Sequence, residues 1–199
     1  MTEFPLPAEI IRLIEERGRD GRDILFETQL PDKIARLCGA LKMAESVRVR
    51  RVLCNLLASL ADAEALPCLL DCLHDSDPSV VSSAADAIGN CAYEQSISED
   101  LRGRLGVTLM DLAANSSNPL EVRTGAIYGL GLVRYLPALS LLLRSLESEE
   151  PRERLASAEA LAHLGDRTAI TTLRVRRYRE SDERVKRYIS LALEELADG

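Results

Sequence analysis

The chain contains no tryptophan, and its two phenylalanines and five tyrosines bring aromatic residues to only 4% of 199. Stacking platforms for single-stranded nucleic acid and aromatic cages for cationic ligands both need clustered rings, so both are disfavoured. Histidine is as scarce. His74 and His163 are the two, and neither has a second His at i+4, so both read as lone surface residues rather than metal or catalytic groups. No stretch approaches the roughly 18 uncharged apolar residues of a membrane span; even Leu136 to Leu146 is interrupted by Arg144. The opening Met1-Thr2-Glu3-Phe4-Pro5-Leu6-Pro7 lacks a basic segment leading into an apolar one and does not read as a secretory leader. No alternating run is long enough for a sheet, so no strand precedes a Gly-rich phosphate loop; Gly125, Gly129 and Gly131 read as helix-packing residues. The five cysteines (Cys38, Cys54, Cys68, Cys72, Cys91) are an odd number without a leader, and are expected to be reduced thiols of a cytoplasmic protein. Cys68 and Cys72 are spaced to share a helix face, but further metal ligands are missing from it.

What is abundant is periodicity. Hydrophobic residues make up 46% of the chain and charged residues 29%, enough for a core and too apolar for disorder. Val80–Gly89 resembles Val122–Gly131 and Glu153–Leu161, with Val49-Arg50 and Val185-Lys186 opening outer copies. The starts are separated by 31, 42, 31 and 32 residues, so one unit recurs and the second copy carries an insertion. Each unit opens with a small-residue helix (Ala84, Ala85, Ala126, Gly129, Ala156, Ala160). A second helix follows, with leucines at helical spacing: Leu66, Leu69, Leu70 and Leu73, then Leu139, Leu142, Leu143 and Leu146. Asp77-Pro78, Asn118-Pro119 and Glu150-Pro151 mark first helices, because proline lacks the N–H that has no intrahelical partner in a first turn. Ser46 and Ser181-Asp182 take the matching places in the outer copies. Ala61-Asp62 and Gly165-Asp166 suit a helix end followed by a capping carboxylate. The expected fold is all-α: a solenoid of stacked antiparallel helix pairs over residues 46–199. Residues 1–45 are expected to be a helical cap or degenerate repeat, with helices at Pro7–Arg17 and Pro31–Met43 joined by a Gly18–Gly21 turn and the Phe26 region. The insertion near Tyr93–Asp100 is expected to lengthen a loop.

This pattern resembles the HEAT-repeat family, in particular the short HEAT-like repeats of phycobilisome lyases. The resemblance rests on Pro119-Leu120-Glu121-Val122-Arg123, on Ala160–Asp166, and on Ala169-Ile170. It implies that basic residues at the Val-Arg positions (Arg50, Arg123, Arg154, Lys186) brace neighbouring repeats, and that second helices line a binding surface. On that surface Asp71 and His74, Arg144 and Glu147, and Val175 and Tyr178 occupy comparable outward positions, with Met110 a looser counterpart. Asp75 and Arg176 join them as candidate protein-binding residues.

Charge is unevenly distributed. From Val52 to Leu101 there is no Lys or Arg against nine acidic residues. From Arg167 to Arg187 eight basic residues face three acidic ones, a net +5 that leaves −12 for the rest of a chain totalling −7. Complementary potentials steer encounter and select partners. The reading is a non-catalytic protein–protein interaction module, an adaptor, scaffold or inhibitor, with no catalytic, cofactor or metal site. Its partner is another protein, a basic one complementing the acidic half. No membrane partner is expected, and overall charge opposes nucleic acid. The alternatives are an antidote to a basic toxin enzyme, a bilin lyase-type subunit, nucleic-acid binding by the C-terminal basic pole, and salt-sensitive head-to-tail self-association.

Overall fold

The computed structural model describes residues 6–28 and 32–198. These residues form twelve α-helices and three short 3-10 turns, with no strand among them. The chain divides into two compact units, Met1–Gln95 and Ser96–Gly199.

The first unit holds α1 (Pro7–Arg17), α2 (Arg19–Glu27), α3 (Lys33–Met43), α4 (Val47–Leu60), α5 (Leu66–Cys72) and α6 (Pro78–Glu94). Ile10 and Ile14, one turn apart on α1, are fully buried with Leu25, Leu37, Leu53, Leu57, Leu69 and Ile88. α1 packs on α2 and α3, and α4 lies between α3 and α6. The expected Gly18–Gly21 turn is replaced by a helix, α2, which starts at Arg19. Gly21 lies against α1, where a Cβ would come within 2.4 Å of the Leu13 carbonyl oxygen. That close approach, rather than a turn, is what glycine supplies there. The expected boundary at residue 45 falls inside this unit, and Pro31, expected to open a helix, lies outside the described residues.

The cysteines correct the sequence reading. Cys38 of α3 and Cys68 of α5, 30 residues apart, are joined in a disulfide, because these two helices pack together. Cys72, one turn beyond Cys68, hydrogen-bonds instead with buried Cys54 of α4. That bond lowers the pKa of Cys72 and, with burial, raises that of Cys54. Desolvation pushes the buried Cys91 thiol up to about 12.

The second unit holds α7 (Glu99–Ala114), α8 (Leu120–Val133), α9 (Leu139–Ser145), α10 (Pro151–Leu164), α11 (Ile170–Arg179) and α12 (Glu183–Asp198). α10 packs against α8, α9 and α12, and α11 against α12. Gly131 lets the α8 and α10 backbones meet: a Cβ there would lie 2.3 Å from the Ala160 Cα. Ser157 of α10 donates to the Leu142 carbonyl of α9, satisfying a buried hydroxyl.

The insertion does not lengthen a loop as expected. It lengthens helices: α6 has 17 residues and α7 has 16, with only Gln95–Ser98 between their ends. Elsewhere the second helix is a 3-10 turn followed by seven or ten residues. Ser98 caps α7, its hydroxyl accepting from the Leu101 N–H at 3.2 Å.

The punctuation between helices follows the sequence reading at Asp77-Pro78, Glu150-Pro151, Ala61-Asp62 and Gly165-Asp166; Pro119, expected in a first turn, instead precedes α8 as its N-cap, and Arg134, which the sequence did not mark, ends that helix. Ala61, Arg134 and Gly165 end α4, α8 and α10 at φ of 50°, 56° and 77°. Asp62 and Asp166 then accept from the Glu64 and Thr168 N–H groups at 2.8 and 2.9 Å. Asp77 caps α6 by accepting from the Ser79 N–H at 2.9 Å, with Pro78 as the first helical residue. Ser46 and Glu150 precede their helices without a side-chain cap bond.

Candidate functional site

Three of the four Val-Arg positions are braces of one design. Arg50 forks onto Asp75 at 2.7 and 3.0 Å, while its Nη1 donates to the Ala44 and Glu45 carbonyls. Arg123 donates to Glu153 at 3.1 Å and to the Asn118 carbonyl at 2.7 Å. Arg154 forks onto Glu180 at 2.8 and 2.7 Å and reaches back to the Ser148 and Glu149 carbonyls. Each guanidinium thus ties the loop before its own helix to an acid further along the chain. The planar fork suits this task. Lys186, at the fourth position, makes no such fork and among the described residues pairs with the exposed Glu183, at 3.4 Å.

The acceptors were the part missed in the sequence. Glu180 is 5% exposed and accepts from Arg154, from both Arg176 Nε and Nη2, and from the Ser181 and Asp182 N–H groups. Burial alone would raise its pKa; the hydrogen bonds from Arg154, Asp182 N–H and Arg176 outweigh it and hold the carboxyl at about 2. Glu153 and Glu180 sit in the sequence among other acids of similar setting, and only packing distinguishes them.

Of the nine candidate binding residues, Asp71, His74, Arg144, Glu147, Val175 and Tyr178 are exposed. Tyr178 is 91% exposed and Val175 44%. In the first unit Asp71 and His74 lie at the end of α5, with Lys42 3.6 Å from the Asp71 carboxylate. Asp75, beside them, is held by Arg50, so its carboxylate serves the brace. In the second unit Arg144 and Glu147 lie at the end of α9, and Val175, Arg176 and Tyr178 on α11. Arg176 links the two segments through Glu147 at 3.1 Å while holding Glu180. Met110 is half-buried on α7, which packs against α8. His163 departs from a lone surface position: it is half-buried, edge-on to Tyr128 at 5.9 Å between ring centroids, and burial lowers its pKa. Among the described residues no three His, Cys, Asp or Glu side chains converge as a metal site, and no helix is long and apolar enough to cross a membrane.

The profile of the HEAT repeats matches residues 34–103 and 107–194. The chain belongs to the HEAT-repeat family. No curated protein matches it. Among solved structures, an engineered protein aligns over the whole of both chains at 18% identity and a TM-score of 0.58. A designed armadillo repeat protein in complex with the peptide (KR)4 aligns over 96% of this chain and 99% of that one, at 19% identity and a TM-score of 0.57. The complex of CpcE and CpcF of phycocyanin lyase from Nostoc sp. PCC7120 aligns over 98% of this chain and 99% of that one, at 15% identity and a TM-score of 0.50. At such identities the likeness concerns the fold: an all-α solenoid of HEAT or armadillo type.

Proposed function

We propose that this HEAT-repeat chain is a non-catalytic protein-binding module, an adaptor or inhibitor, that engages its partner through the exposed side of its second helices. The observation that carries this reading is the division of labour in the second unit. Arg123, Arg154 and Arg176 are spent inside the fold, whereas Arg144, Val175 and Tyr178 are exposed, and Arg144 makes no ion pair among the described residues. Exposed Tyr, Arg and aliphatic side chains are the types that anchor protein interfaces. In the first unit the run from Val52 to Gln95, without Lys or Arg and with Asp71 exposed, favours a basic partner there; the designed armadillo protein of related fold is bound to a Lys/Arg peptide.

The test is capture from host lysate with wild-type chain and with an Arg144→Glu/Val175→Asp variant, eluted by a salt step and identified by mass spectrometry. The reading expects a stoichiometric protein held by the wild type and lost by the variant, with both baits folded by circular dichroism. Equal recovery on both baits, or none on either, would refute it. A bilin lyase-type subunit is the second reading, resting on the CpcE/CpcF likeness in fold. It predicts a change in visible absorbance when bilin and its acceptor protein are added, and an unchanged spectrum removes it.

A further inference from the structure

In the second unit, one side of α11 carries two arginines, Arg174 and Arg177, that make no ion pair among the described residues. At about 100° per residue, Arg174, Arg177 and Tyr178 share one roughly 100° arc of α11, while Val175 and Arg176 fall outside it. Lys186, Ser190, Leu193 and Ala197 form a row on α12 at i, i+4, i+7 and i+11. Between these rows runs a groove of about 500 Å³ lined by Arg174, Arg177, Tyr178, Lys186 and Leu193. Arg177 is fixed by donating its Nε–H to Ser190 Oγ at 2.7 Å, which leaves its Nη groups for another acceptor. Arg174 makes no ion pair among the described residues, and Lys186 meets only the exposed Glu183. A second groove of about 350 Å³ shares Arg177 and Leu193 and ends at Glu194 and Asp198. The wall therefore changes from cationic to anionic along its length, with an apolar step at Leu193.

α11 buries only Leu173 completely, so its sequence is not explained by core packing. Three cations beside an exposed ring, with no carboxylate among the described residues bonded to Arg174 or Arg177, make a surface complementary to carboxylates. A phosphate backbone fits less well. Glu194 and Asp198 would repel its next charges, and Tyr178 is a single ring where strand binding uses several.

We propose that this groove binds an acidic segment of a partner protein, its Asp and Glu carboxylates on Arg174, Arg177 and Lys186 and an apolar side chain over Leu193 against Tyr178. The inference rests on the protein-binding reading but uses residues apart from Arg144 and Val175, so the two fail separately.

The test is fluorescence anisotropy at low and physiological salt, with the full chain and a fluorescein-labelled Glu-rich dodecapeptide carrying one central Phe. Comparators are its Lys-for-Glu counterpart and a labelled 12-nucleotide single-stranded DNA. The expected result is saturable binding of the acidic peptide. Its Kd should rise at least tenfold in Arg174→Glu/Arg177→Glu and less than twofold in Arg12→Glu/Arg51→Glu, which changes net charge equally on exposed residues of the first unit. If the first variant does not melt like wild type, Arg174→Gln/Arg177→Gln replaces it, with at least a fivefold rise expected. Replacing the peptide's Phe by Ala should weaken binding as well. Absence of binding, equal loss in both charge variants, or equal binding of the Lys peptide would overturn the proposal. Tighter binding of the DNA with the same Arg174/Arg177 dependence would overturn it in favour of nucleic acid. Salt-sensitive mass growth of the chain alone in sedimentation velocity, abolished by the same variant, would assign the groove to a second copy.

Discussion

Replacing Glu180 with Gln keeps its shape and removes its charge, leaving the Arg154 guanidinium buried without its counterion. Arg154 is only 6% exposed, so the cost is that of breaking a buried pair, about 3–5 kcal/mol. The titration of Glu180 gives an independent figure. Its carboxyl lies at about 2 in the fold against an ordinary 4.5, which corresponds to roughly 3 kcal/mol of stability at neutral pH. A depressed carboxyl pKa stabilises fully above its unfolded value, so this contribution is complete above about 4.5 and drains away as pH falls towards about 2. The assay is urea unfolding followed by circular dichroism for wild type, Glu180→Gln, Arg154→Met and Arg154→Met/Glu180→Leu. Glu180→Gln should lose about 3 kcal/mol at pH 7 and Arg154→Met less, since Arg176 still holds Glu180; the double variant should recover most of the Glu180→Gln deficit, because Arg176 keeps Glu147 and no unpaired charge remains buried. The deficit of Glu180→Gln should also shrink as pH falls from 5 towards 2. A double variant as unstable as the sum of the singles, or a deficit unchanged by pH, would refute the reasoning.

Gly131→Ala should destabilise by about 1–3 kcal/mol despite alanine's better helix propensity, since the new methyl meets the Ala160 backbone rather than a movable side chain; a raised Tm would contradict the close approach of α8 and α10. Titration of the unreduced, denatured chain with a thiol reagent should count three free thiols, and five would show that Cys38 and Cys68 are not bonded. Reducing that disulfide should cost the first unit about 3–4 kcal/mol through loop entropy in the unfolded chain, read as a drop in Tm on adding dithiothreitol that a Cys38→Ser variant does not show. Burial raises the Asp86 carboxyl to about 6 from 3.8. A raised carboxyl pKa is a cost that builds as pH passes from about 4 to about 6 and stays constant above. Asp86→Asn should therefore stabilise at pH 7.5 by on the order of 1–3 kcal/mol and by little at pH 4, and a Tm gain independent of pH would contradict this.

The repeat was legible because its signals are local. Proline after a polar residue, a left-handed helix end before aspartate, and leucines one turn apart each act within a few residues, and Asp77-Pro78, Gly165-Asp166 and Leu66–Leu73 read the same in sequence and structure. The bracing arginines were legible by their repeated position. Their acceptors were not, since Glu153 and Glu180 resemble neighbouring acids until helices 26 or 30 residues away are brought beside them. α2 was missed because glycines at 18 and 21 imitate a turn, yet Gly21 serves to let α1 and α2 touch.

Chain-local chemistry was thus sufficient for helix content, the period and the uneven charge. Packing decided the rest, because it depends on residues far apart in sequence. It joined Cys38 to Cys68 and turned Cys72 towards Cys54. It gave Asp75 to Arg50 and Glu180 to Arg154, and so withdrew those carboxylates from solvent. It also set Arg174 and Arg177 on a groove wall with no ion pair among the described residues, while committing Arg176, on the same helix, to the interior. Side chains of one type and one segment acquire opposite tasks because burial makes an unpaired charge costly and solvent does not.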